Sequence, residues 1–273
     1  MTLYRASAAD GIAWVTGGST GIGRQVVLDL AARGYKVVAT ARDQEQLDEV
    51  VATASRAGHR VVAMLGDVTG EDAMDRMVDA IERDHGPIVL AIFNAGTYLP
   101  SHGERLEVHN FEKTFAVNLM GVVNCLVPVA DRMRDRGFGH IVVVGSVTSY
   151  YGLPSAAAYG ASKAALNSIA QSLKFDFDKL NIRIQMVNPG FVDTPLTKKN
   201  KFAMPALMPV EKAAERMVRG IEKGGFEITF PRRLTWVLKA AGHLPQPLYH
   251  WLLARATGWD KRRFSQIRKP PRR

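Results

Sequence analysis

The feature that most constrains the fold is a short apolar run that leads directly into a glycine-rich turn. Ile12–Thr16 has the composition of a buried strand, and the segment Thr16-Gly-Gly-Ser-Thr-Gly21-Ile-Gly23 joins it to a helical pattern over residues 26–33. Such a turn lets the backbone approach a pyrophosphate, and the N-terminus of the following helix presents a partial positive charge to that anion. The spacing is GxxxGxG instead of GxGxxG, but its position between a strand and a helix favours a dinucleotide site over a plain tight turn.

Strand-like and helical patterns alternate along the rest of the chain. Strands are predicted over residues 35–41, 60–65, Ile88–Phe93, 140–145, 182–187 and 226–230, and helices over residues 44–57, Glu71–His85, 110–136, the stretch around Tyr159, and Val210–Lys223. This alternation predicts an α/β fold with a parallel sheet, and 273 residues suit one domain. We expect that domain to span residues 1–230 and to be followed by a C-terminal extension, residues 231–273.

The net charge of +10 is unevenly distributed. Residues 1–230 contain 25 Lys and Arg and 25 Asp and Glu, whereas residues 231–273 contain 11 basic residues and one acid, Asp260. The single cysteine, Cys125, excludes an internal disulfide and fits a reducing compartment. No run reaches the roughly 18–20 apolar residues that span a bilayer, and the N-terminus lacks the apolar core of a signal peptide, so we expect a cytoplasmic protein.

The end of the second predicted strand is where a dinucleotide-binding fold contacts the adenosine ribose. An acid there would accept a hydrogen bond from the 2′-hydroxyl of NAD, but this strand is followed by Arg42. An arginine can pair with the 2′-phosphate of NADP, so the sequence favours NADP over NAD. Alternatively, Arg42 is a solvated charge at the start of the next helix. Asp67, after the third strand, either caps the following helix or meets the adenine amine.

Tyr159 and Lys163 are four residues apart on a predicted helix, so their side chains share one face. A cation near a phenol favours the phenolate and brings the pKa, ordinarily near ~10, closer to neutral pH, which suits general acid–base catalysis. Ser146 follows the fifth predicted strand, at the sheet edge where the fourth delivers Asn94. Taken alone, Ser146 could simply be a turn residue. Asn118 lies within a long helix and could be a hydrogen-bonded core residue.

These motifs occur together and in one order: the glycine turn of residues 16–23, Asn94-Ala-Gly96, Asn118, Ser146, Tyr159-x-x-x-Lys163, and Pro189-Gly190 followed by Thr194. In this combination, residues 10–230 closely resemble the short-chain dehydrogenase/reductase family. The resemblance implies a single Rossmann-like, doubly wound domain with a seven-stranded parallel sheet. It also implies an oxidoreductase that transfers a hydride between a nicotinamide and a carbonyl or alcohol carbon.

The resemblance also implies roles for these residues. Tyr159 would be the general acid in reduction and the base in oxidation, Lys163 would lower its pKa and hold the nicotinamide ribose, and Ser146 would bind the substrate oxygen. Asn118 would hold a water in a proton relay behind Lys163. The expected cofactor-binding residues are Gly17, Ser19, Gly21, Ile22, Arg42, Asp67, Asn94, Gly96, Tyr159, Lys163, Pro189 and Thr194. No metal site is expected. The resemblance also makes us expect a homodimer or homotetramer that forms through the Asn110 and Tyr159 helices.

Substrate identity in this family depends on the loop after Ser146 and on the segment before the last helix. Here these contain Tyr150, Tyr151, Leu153, Phe202, Met204, Leu207 and Met208. Aromatic and methionine side chains form adaptable apolar pockets, so we expect a lipophilic ketone or aldehyde of steroid, retinoid or long-acyl type. Residues 196–209 show no clear period and are expected to form a mobile segment over the site.

The C-terminal extension departs from the family's usual short ending. Two helical stripes lie among its basic and aromatic residues: Leu234, Val237, Leu238 and Ala241, then Leu248, Trp251 and Leu252. Such a segment, residues 232–273, suits peripheral contact with an anionic membrane. Alternatively, the stripes pack on the body or across a subunit interface. No nucleic-acid reading motif is present, so no nucleic acid is expected. The alternative to an enzyme is a non-catalytic nucleotide sensor that docks on a membrane or partner through this tail.

Overall fold

A computed structural model describes residues 3–199 and 204–262. Within these ranges, seven parallel strands pair into one sheet in the order β3-β2-β1-β4-β5-β6-β7. The strands are β1 Ile12–Thr16, β2 Val37–Ala41, β3 Val61–Leu65, β4 Ile88–Phe93, β5 Gly139–Val144, β6 Ile182–Pro189 and β7 Glu227–Phe230. The predicted Rossmann-like architecture with a seven-stranded parallel sheet is confirmed.

Helices connect the strands and cover both faces of the sheet. They are α1 Gly21–Ala32, α2 Gln44–Arg56, α3 Glu71–His85, α4 Val108–Phe115, α5 Gly121–Arg136, α6 Ala157–Lys179, α7 Val210–Lys223, α8 Arg232–Ala241 and α9 Gln246–Thr257. Most predicted boundaries lie within two residues of the observed ones. The exception is α1, which was expected from residue 26 and begins at Gly21, because the glycines of the turn already form its first helical turn.

The core consists of two apolar layers, one on each face of the sheet. In β1, Ala13 and Val15 face the layer formed with α1 and α7, whereas Ile12 and Trp14 face the layer formed with α3, α5 and α6. Successive side chains of a strand point to opposite faces, so a strand covered on both sides must be apolar throughout. The indole Nε1 of Trp14 is not left unpaired, because it donates to the Thr40 hydroxyl at 2.9 Å.

The strand order reverses next to β1, and this reversal determines where a ligand can bind. β2 and β3 lie on one side of β1, and β4 to β7 lie on the other. The register places Thr16, the last residue of β1, beside Phe93, the last residue of β4. The segments that follow these two strands therefore diverge at one edge of the sheet, where open α/β sheets bind their ligands.

The helix predicted over residues 110–136 is a continuous stretch with a change of pitch in the middle. α4 passes through a π-helical turn, Ala116–Met120, into α5. By length and composition alone, the whole stretch Val108–Arg136 could cross a membrane. Val122, Cys125 and Val129 of α5 are buried in one of the two apolar layers, so this is a core helix of the body.

The C-terminal extension forms α8, α9 and a short turn, Trp259–Lys261, all in contact with the body. Thr235 of α8 and Tyr249 of α9 are buried. The Tyr249 hydroxyl donates to the Gly152 carbonyl at 3.1 Å, and this bond turns the predicted α9 stripe outward. That stripe, Leu248, Trp251 and Leu252, is exposed. Arg263 and the residues after it lie outside the described residues.

Candidate active site

The glycine turn after β1 is held by close backbone packing. Gly17 has φ +65°, a left-handed conformation that favours glycine, and a Cβ there would lie 2.8 Å from the Ala95 backbone. A Cβ at Gly23 would lie 2.1 Å from the Gly17 carbonyl oxygen. The Asn94 side chain fixes the turn, since its Nδ2 donates to the carbonyls of Thr16 and Gly17 at 3.2 and 3.1 Å. Asn94 therefore braces the turn from the neighbouring strand end.

A cavity of about 430 Å³, called here the large cavity, runs along the carboxyl edge of the sheet from β3 to β6. All but one of the predicted site residues line it. These are Gly17, Ser19, Gly21, Ile22, Arg42, Asp67, Asn94, Gly96, Ser146, Tyr159, Lys163, Pro189 and Thr194. Sequence analysis missed Gln46, whose Oε1 lies 3.3 Å from the Ser19 hydroxyl across the cavity mouth. The missed residue carries no signal beyond its place in the first turn of α2.

Arg42 and Asp67 face each other at one end of the large cavity. Arg42 Nη1 lies 3.8 Å from Asp67 Oδ2, and both side chains are largely solvent-exposed. Asp67 Oδ1 accepts hydrogen bonds from the Thr69 backbone and hydroxyl at 3.0 and 2.9 Å. Asp67 thus closes the turn before α3, but it does not cap that helix as one of its two expected roles required, because the N-cap residue of α3 is Gly70. Its second oxygen, Oδ2, faces Arg42 at the cavity. An exposed pair at this distance is weak, so Arg42 can exchange partners at low cost.

Tyr159 and Lys163 lie one turn apart on α6, as predicted, and face the same end of the large cavity. Lys163 is buried, and its Nζ lies 5.8 Å from the centroid of the Tyr159 ring. Its ammonium donates to the Val144 carbonyl at 2.8 Å. Since an ammonium carries three donors, the single carbonyl leaves Lys163 able to bind a further oxygen from the cavity.

The pKa values of this pair differ from the expectation that Lys163 draws the phenol toward neutral pH. Burial raises the pKa of Tyr159 to about 12, and a hydrogen bond with Ser146 only partly opposes that rise. Burial lowers the pKa of Lys163 to about 8, because the ammonium has no carboxylate beside it among the described residues. In this arrangement burial is the main cause of both pKa shifts. Tyr159 is therefore a protonated phenol at neutral pH.

Ser146 is positioned by a side chain that sequence analysis did not identify. The Ser146 amide donates to Asn188 Oδ1 at 3.1 Å, and Asn188 Nδ2 donates to Glu227 Oε1 at 3.0 Å. The Ser146 hydroxyl accepts from the Thr148 amide at 3.2 Å, which begins the short turn Val147–Ser149. Asn188 is the first residue of the Asn188-Pro189-Gly190 segment at the end of β6, and the parallel pairing of β5 with β6 brings it beside Ser146.

Asn118 lies behind the large cavity and does not line it. It occupies the π-helical turn, a feature frequent at functional sites. Its Oδ1 accepts from the Thr97 amide at 2.7 Å, and its Nδ2 donates to the Thr97 carbonyl and the Ser162 hydroxyl at 2.9 and 3.2 Å. Asn118 is thus a hydrogen-bonded core residue, as its alternative interpretation held. It nevertheless lies close to Lys163, because a Cβ on Gly96 would sit between them, 3.5 Å from Asn118 Oδ1 and 3.7 Å from Lys163 Nζ.

Thr194 approaches the glycine turn from the far side of the large cavity. A Cβ on Gly21, which has φ +53°, would lie 3.2 Å from Thr194 Cγ2. The Thr194 hydroxyl is 3.3 Å from that of Thr197, which donates to the Val192 carbonyl at 2.5 Å. The glycine turn and the segment after β6 therefore enclose the same volume, and a larger residue at Gly21 would narrow it.

A second cavity of about 120 Å³, called here the small cavity, opens on the same Tyr159 and Ser146 side chains. Its apolar walls include Tyr98, whose ring meets that of Tyr159 edge to face at 5.3 Å. The remaining lining residues are Val147, Thr148, Leu153, Pro154, Ala156, Gly190, Phe191, Leu196, Thr197, Thr257 and Trp259. Tyr98, Thr257 and Trp259 were not identified from the sequence.

Of the seven residues expected to shape a substrate pocket, Leu153 lines the small cavity. Tyr150 instead donates to Glu227, and Tyr151 packs against Tyr249, with ring centroids 5.5 Å apart. Met208 is buried in the core beside α7. The expectations for Tyr150 and Tyr151 were wrong because the loop after Ser146 turns both rings toward the C-terminal extension. The expectation for Met208 was wrong because its side chain packs in the core. Phe202 lies outside the described residues.

Comparison with known proteins determines the family. The model of the short chain dehydrogenase family matches residues 11–204. The chain belongs to the short-chain dehydrogenase/reductase family. This short-chain dehydrogenase is 37% identical over 237 residues to an uncharacterized oxidoreductase of Myxococcus xanthus, covering 87% of this chain and 94% of that protein. It is 34% identical over 209 residues to 2,3-dihydro-2,3-dihydroxybenzoate dehydrogenase of Bacillus subtilis, covering 77% of each.

A solved structure shares the fold of this short-chain dehydrogenase. A short chain dehydrogenase/reductase from Burkholderia phymatum in complex with NAD superposes with a TM-score of 0.78 at 22% identity, covering 88% of this chain and 94% of that one. Membership of the family, shown by the model that matches residues 11–204, makes the protein an NAD(P)-dependent oxidoreductase that acts on a carbonyl or alcohol carbon. The alternative of a non-catalytic nucleotide sensor is wrong.

The residues present fit a nicotinamide dinucleotide. The Gly17 and Gly21 backbones leave open a cradle that a Cβ would fill, at the N-terminus of α1 where a diphosphate is favoured. At the other end of the large cavity, the Lys163 ammonium can donate to a sugar hydroxyl. The volume between them runs past Asn94 and Gly96, whose small or amide side chains leave the sheet edge open.

Proposed function

We propose that this short-chain dehydrogenase reduces a lipophilic ketone or aldehyde at the expense of NADPH. The observation that carries the proposal is the position of Tyr159 and Ser146, which line both the large and the small cavity. A carbonyl oxygen placed between these hydroxyls would have its carbon at the boundary of the two cavities. The large cavity has both polar and apolar lining and extends past the ends of six strands, as a dinucleotide requires, whereas the lining of the small cavity is mainly apolar, as a lipophilic substituent requires.

The proposed division of labour follows from the chemistry of the side chains. When bound, the nicotinamide supplies the hydride. The Tyr159 hydroxyl donates its proton to the carbonyl oxygen, which a pKa raised to about 12 by burial keeps available at neutral pH. The Ser146 hydroxyl donates a hydrogen bond to the same oxygen and stabilises the charge that develops there. In oxidation the same groups act in reverse, with the Tyr159 phenolate as the base.

Lys163 and Asn118 support Tyr159 from behind. The Lys163 ammonium stabilises the phenolate that remains after proton transfer and holds the nicotinamide ribose. Asn118 ties the strand end at Thr97 to Ser162, the neighbour of Lys163, and so positions the lysine. The role of Asn118 in a water relay rests on the family resemblance alone. Gly17, Ser19, Gly21, Ile22, Asp67, Asn94, Gly96, Pro189 and Thr194 are proposed to line the bound cofactor, as their place in the large cavity supports.

Replacement of Tyr159 tests the reaction. Tyr159→Phe should lower kcat/KM for carbonyl reduction by about 10²–10⁴-fold, the usual contribution of a general acid, while leaving the dissociation constant of NADPH within about twofold. Tyr98→Phe is the matched control, since Tyr98 packs on Tyr159 and its hydroxyl makes one long bond of 3.4 Å to the Ser155 carbonyl. Turnover retained in Tyr159→Phe would refute the proposed chemistry.

We propose NADP as the preferred cofactor because Arg42 lines the large cavity at the end of β2 with a guanidinium that is only loosely paired. Fluorescence titration should give a lower dissociation constant for NADPH than for NADH. In Arg42→Ala that preference should collapse by about tenfold or more, as the loss of a charge-assisted contact to a phosphate implies. Arg24→Ala, which changes an arginine outside the large cavity, is the control. Equal preference in wild type would oppose NADP specificity.

A homodimer or homotetramer is proposed on the exposed apolar side chains of the α4–α5 stretch and α6. Val108, Val127 and Phe175 are exposed by 75%, 54% and 77%. Apolar side chains on neighbouring helices suit an interface between copies. Light scattering after chromatography should show an oligomer that Phe175→Glu dissociates, whereas the exposed Leu65→Glu on β3 should not. A monomeric wild type would contradict the proposal.

A cytoplasmic location is proposed, with peripheral contact to an anionic membrane through α8 and α9. Trp236 and Val237 are exposed on α8 one turn after Arg232 and Arg233, and Trp251 is exposed on α9. Aromatic side chains beside arginines suit an anionic lipid interface. Vesicles with phosphatidylserine should bind the protein in a salt-sensitive way, more weakly after Trp236→Ala with Arg233→Glu, and vesicles of phosphatidylcholine should not. Binding indifferent to lipid charge would refute the contact.

A further inference from the structure

The small cavity is closed on one side by residues from the far end of the chain. Thr257, the last residue of α9, and Trp259, in the turn that follows, line it together with Tyr98 and Leu153. Trp259 is half-buried, although the three residues before it are exposed. A segment outside the sheet therefore contributes a wall to the cavity that contains the Tyr159 hydroxyl.

Trp259 is held in place by two neighbouring side chains. Its indole stacks on the His102 ring, with centroids 6.4 Å apart and planes 17° from parallel. The Arg262 guanidinium lies 4.3 Å from the centroid of the indole ring. Arg262 Nη1 also contacts His102 Nδ1 at 3.2 Å, so the three side chains form one cluster. A cation at this distance from an indole is an attractive contact in its own right.

The cluster is tied to the body near the catalytic helix. Arg262 Nη2 lies 3.7 Å from Glu104 Oε2, and the Glu104 side chain is only 16% exposed. A buried carboxylate is costly without a cation nearby, which opposes departure of Arg262. His102 Nδ1 is 3.1 Å from the hydroxyl of Ser155, two residues before α6 begins. His102 thus connects Trp259 to the start of α6, the helix that carries Tyr159.

Two contacts upstream fix the rest of the extension. Lys239 of α8 pairs with Glu227 of β7, and its Nζ lies 4.9 Å from the centroid of the Tyr150 ring. Gly242, between α8 and α9, packs so closely on Tyr151 that a Cβ would lie 1.6 Å from a ring carbon. With the bond from Tyr249 to Gly152, the extension contacts three successive residues of the loop after Ser146. The extension is therefore docked along the rim of the small cavity.

The size of the small cavity limits what can occupy it. Its volume is about 120 Å³. An apolar cavity of about 150 Å³ is large enough for benzene. The small cavity is slightly smaller than this, so a substituent of about one six-membered ring is near its upper limit, and a fused ring system or a long acyl chain exceeds its volume.

We propose that Trp259, positioned by Arg262 and His102, is a specificity-determining residue that restricts the substrate to carbonyl compounds with a compact, ring-sized apolar substituent. This inference rests on the proposed function and narrows its substrate class. It replaces the expectation of steroid, retinoid or long-acyl substrates. The C-terminal extension, in this account, is part of the active site of its own chain.

The test compares benzaldehyde with 2-naphthaldehyde as probes for the full-length enzyme with NADPH. Wild type should prefer benzaldehyde. Trp259→Ala should raise the ratio of kcat/KM for naphthaldehyde to that for benzaldehyde by about tenfold or more, in line with the effect of reshaping an apolar pocket. Arg262→Ala should raise the same ratio by a smaller factor, because it loosens Trp259 without enlarging the cavity directly.

Trp251→Ala is the matched control. Trp251 is also a tryptophan of the extension beside an arginine, with Arg255 5.3 Å from its ring, but it is exposed and does not line the small cavity. The ratio should be unchanged in this variant. Circular dichroism and the dissociation constant of NADPH should match wild type in all three, since the large cavity contains none of the replaced residues.

The outcomes separate this inference from the proposed function. If Trp259→Ala folds and binds NADPH but leaves the ratio unchanged, the role of Trp259 in specificity is refuted. Wild-type turnover of benzaldehyde would still support carbonyl reduction. Turnover of neither aldehyde by wild type would count against the proposed function for this class. In that case, calorimetric binding of benzyl alcohol and 2-naphthalenemethanol would test separately whether Trp259 limits the size of the ligand. Tighter binding of the larger alcohol by Trp259→Ala than by wild type would support it, and equal binding would refute it.

Discussion

The two cavities that meet at Tyr159 are built in different ways. The large cavity is lined mainly by residues at the ends of strands β1 to β6, each within a few residues of the sheet, and the glycine turn contributes its backbone. The small cavity is bounded by side chains from segments around Tyr98, Leu153, Phe191 and Trp259, which belong to loops and to the C-terminal extension. The lining of the large cavity is therefore part of the sheet edge, whereas the lining of the small cavity is supplied by segments outside the sheet.

This difference bears on which changes each cavity can absorb. Close backbone packing leaves no room for an added atom, since a rigid sheet edge cannot move away. Loops that carry side chains at the surface can shift, and they tolerate sequence change. A mutation of equal size should therefore be costly beside the large cavity and nearly neutral beside the small one.

A pair of glycine substitutions tests this contrast and has the largest expected effect. Gly23→Ala places a methyl group 2.1 Å from the Gly17 carbonyl oxygen. Alanine gains about 1 kcal/mol of helix propensity over glycine, but overpacking against backbone costs about 3 kcal/mol, so the clash prevails. We expect a net loss of about 2 kcal/mol in urea denaturation and a large rise in the dissociation constant of NADPH.

Gly152→Ala is the counterpart beside the small cavity. Gly152 lies in the loop after Ser146, without a positive φ, and a Cβ there would meet no atom within 4 Å. We expect a change in the free energy of unfolding within about 0.5 kcal/mol. Equal losses in the two variants would show that the contrast between scaffold and loop is false.

The sequence predicted the large cavity well for the same physical reason. Its residues follow apolar strands directly, and parallel strands all end at one edge, so order along the chain determines proximity. Trp259 and Tyr98 gave no such signal, because their meeting depends on how α8 and α9 dock. Asn188 could not be identified from the sequence, since its bond to Ser146 requires the pairing of β5 with β6. The pKa of Tyr159 was misjudged because burial cannot be inferred from spacing along a helix.

Two lysines provide a second contrast, smaller in magnitude and opposite in sign. Lys163, beside the large cavity, is buried, and burial lowers its pKa from 10.5 to about 8. Removing this charge in Lys163→Met should raise the free energy of unfolding by on the order of 1–2 kcal/mol at neutral pH, after the lost bond to Val144 is subtracted. Turnover should be lost at the same time, as expected where an active site is maintained at the expense of stability.

The pH dependence gives the sign of this effect. Between about pH 8 and 10.5 the unfolded lysine binds a proton that the folded one does not, so wild-type stability from this group rises with pH. The gap between Lys163→Met and wild type should be greatest below pH 8 and shrink toward pH 10.5. Lys239→Met should instead destabilise, because it leaves Glu227 without its cation. A destabilised Lys163→Met with the same pH slope as wild type would contradict the pKa assignment.

The smallest effect is expected at the outer end of the large cavity, where side chains replace backbone as its boundary. The pair between Arg42 and Asp67 spans 3.8 Å and is exposed, so Asp67→Asn should change the free energy of unfolding by less than about 0.5 kcal/mol. Asparagine keeps the oxygen that accepts from Thr69, so the turn before α3 should persist.

Removing the carboxylate frees Arg42 and should raise the preference for NADPH over NADH by about two- to fivefold, a change of less than 1 kcal/mol. The ratio of dissociation constants isolates this effect, because loss of an adenine contact at Asp67 would weaken both cofactors equally. A preference that falls in Asp67→Asn would show that Asp67 orients Arg42 toward the phosphate instead of competing with it.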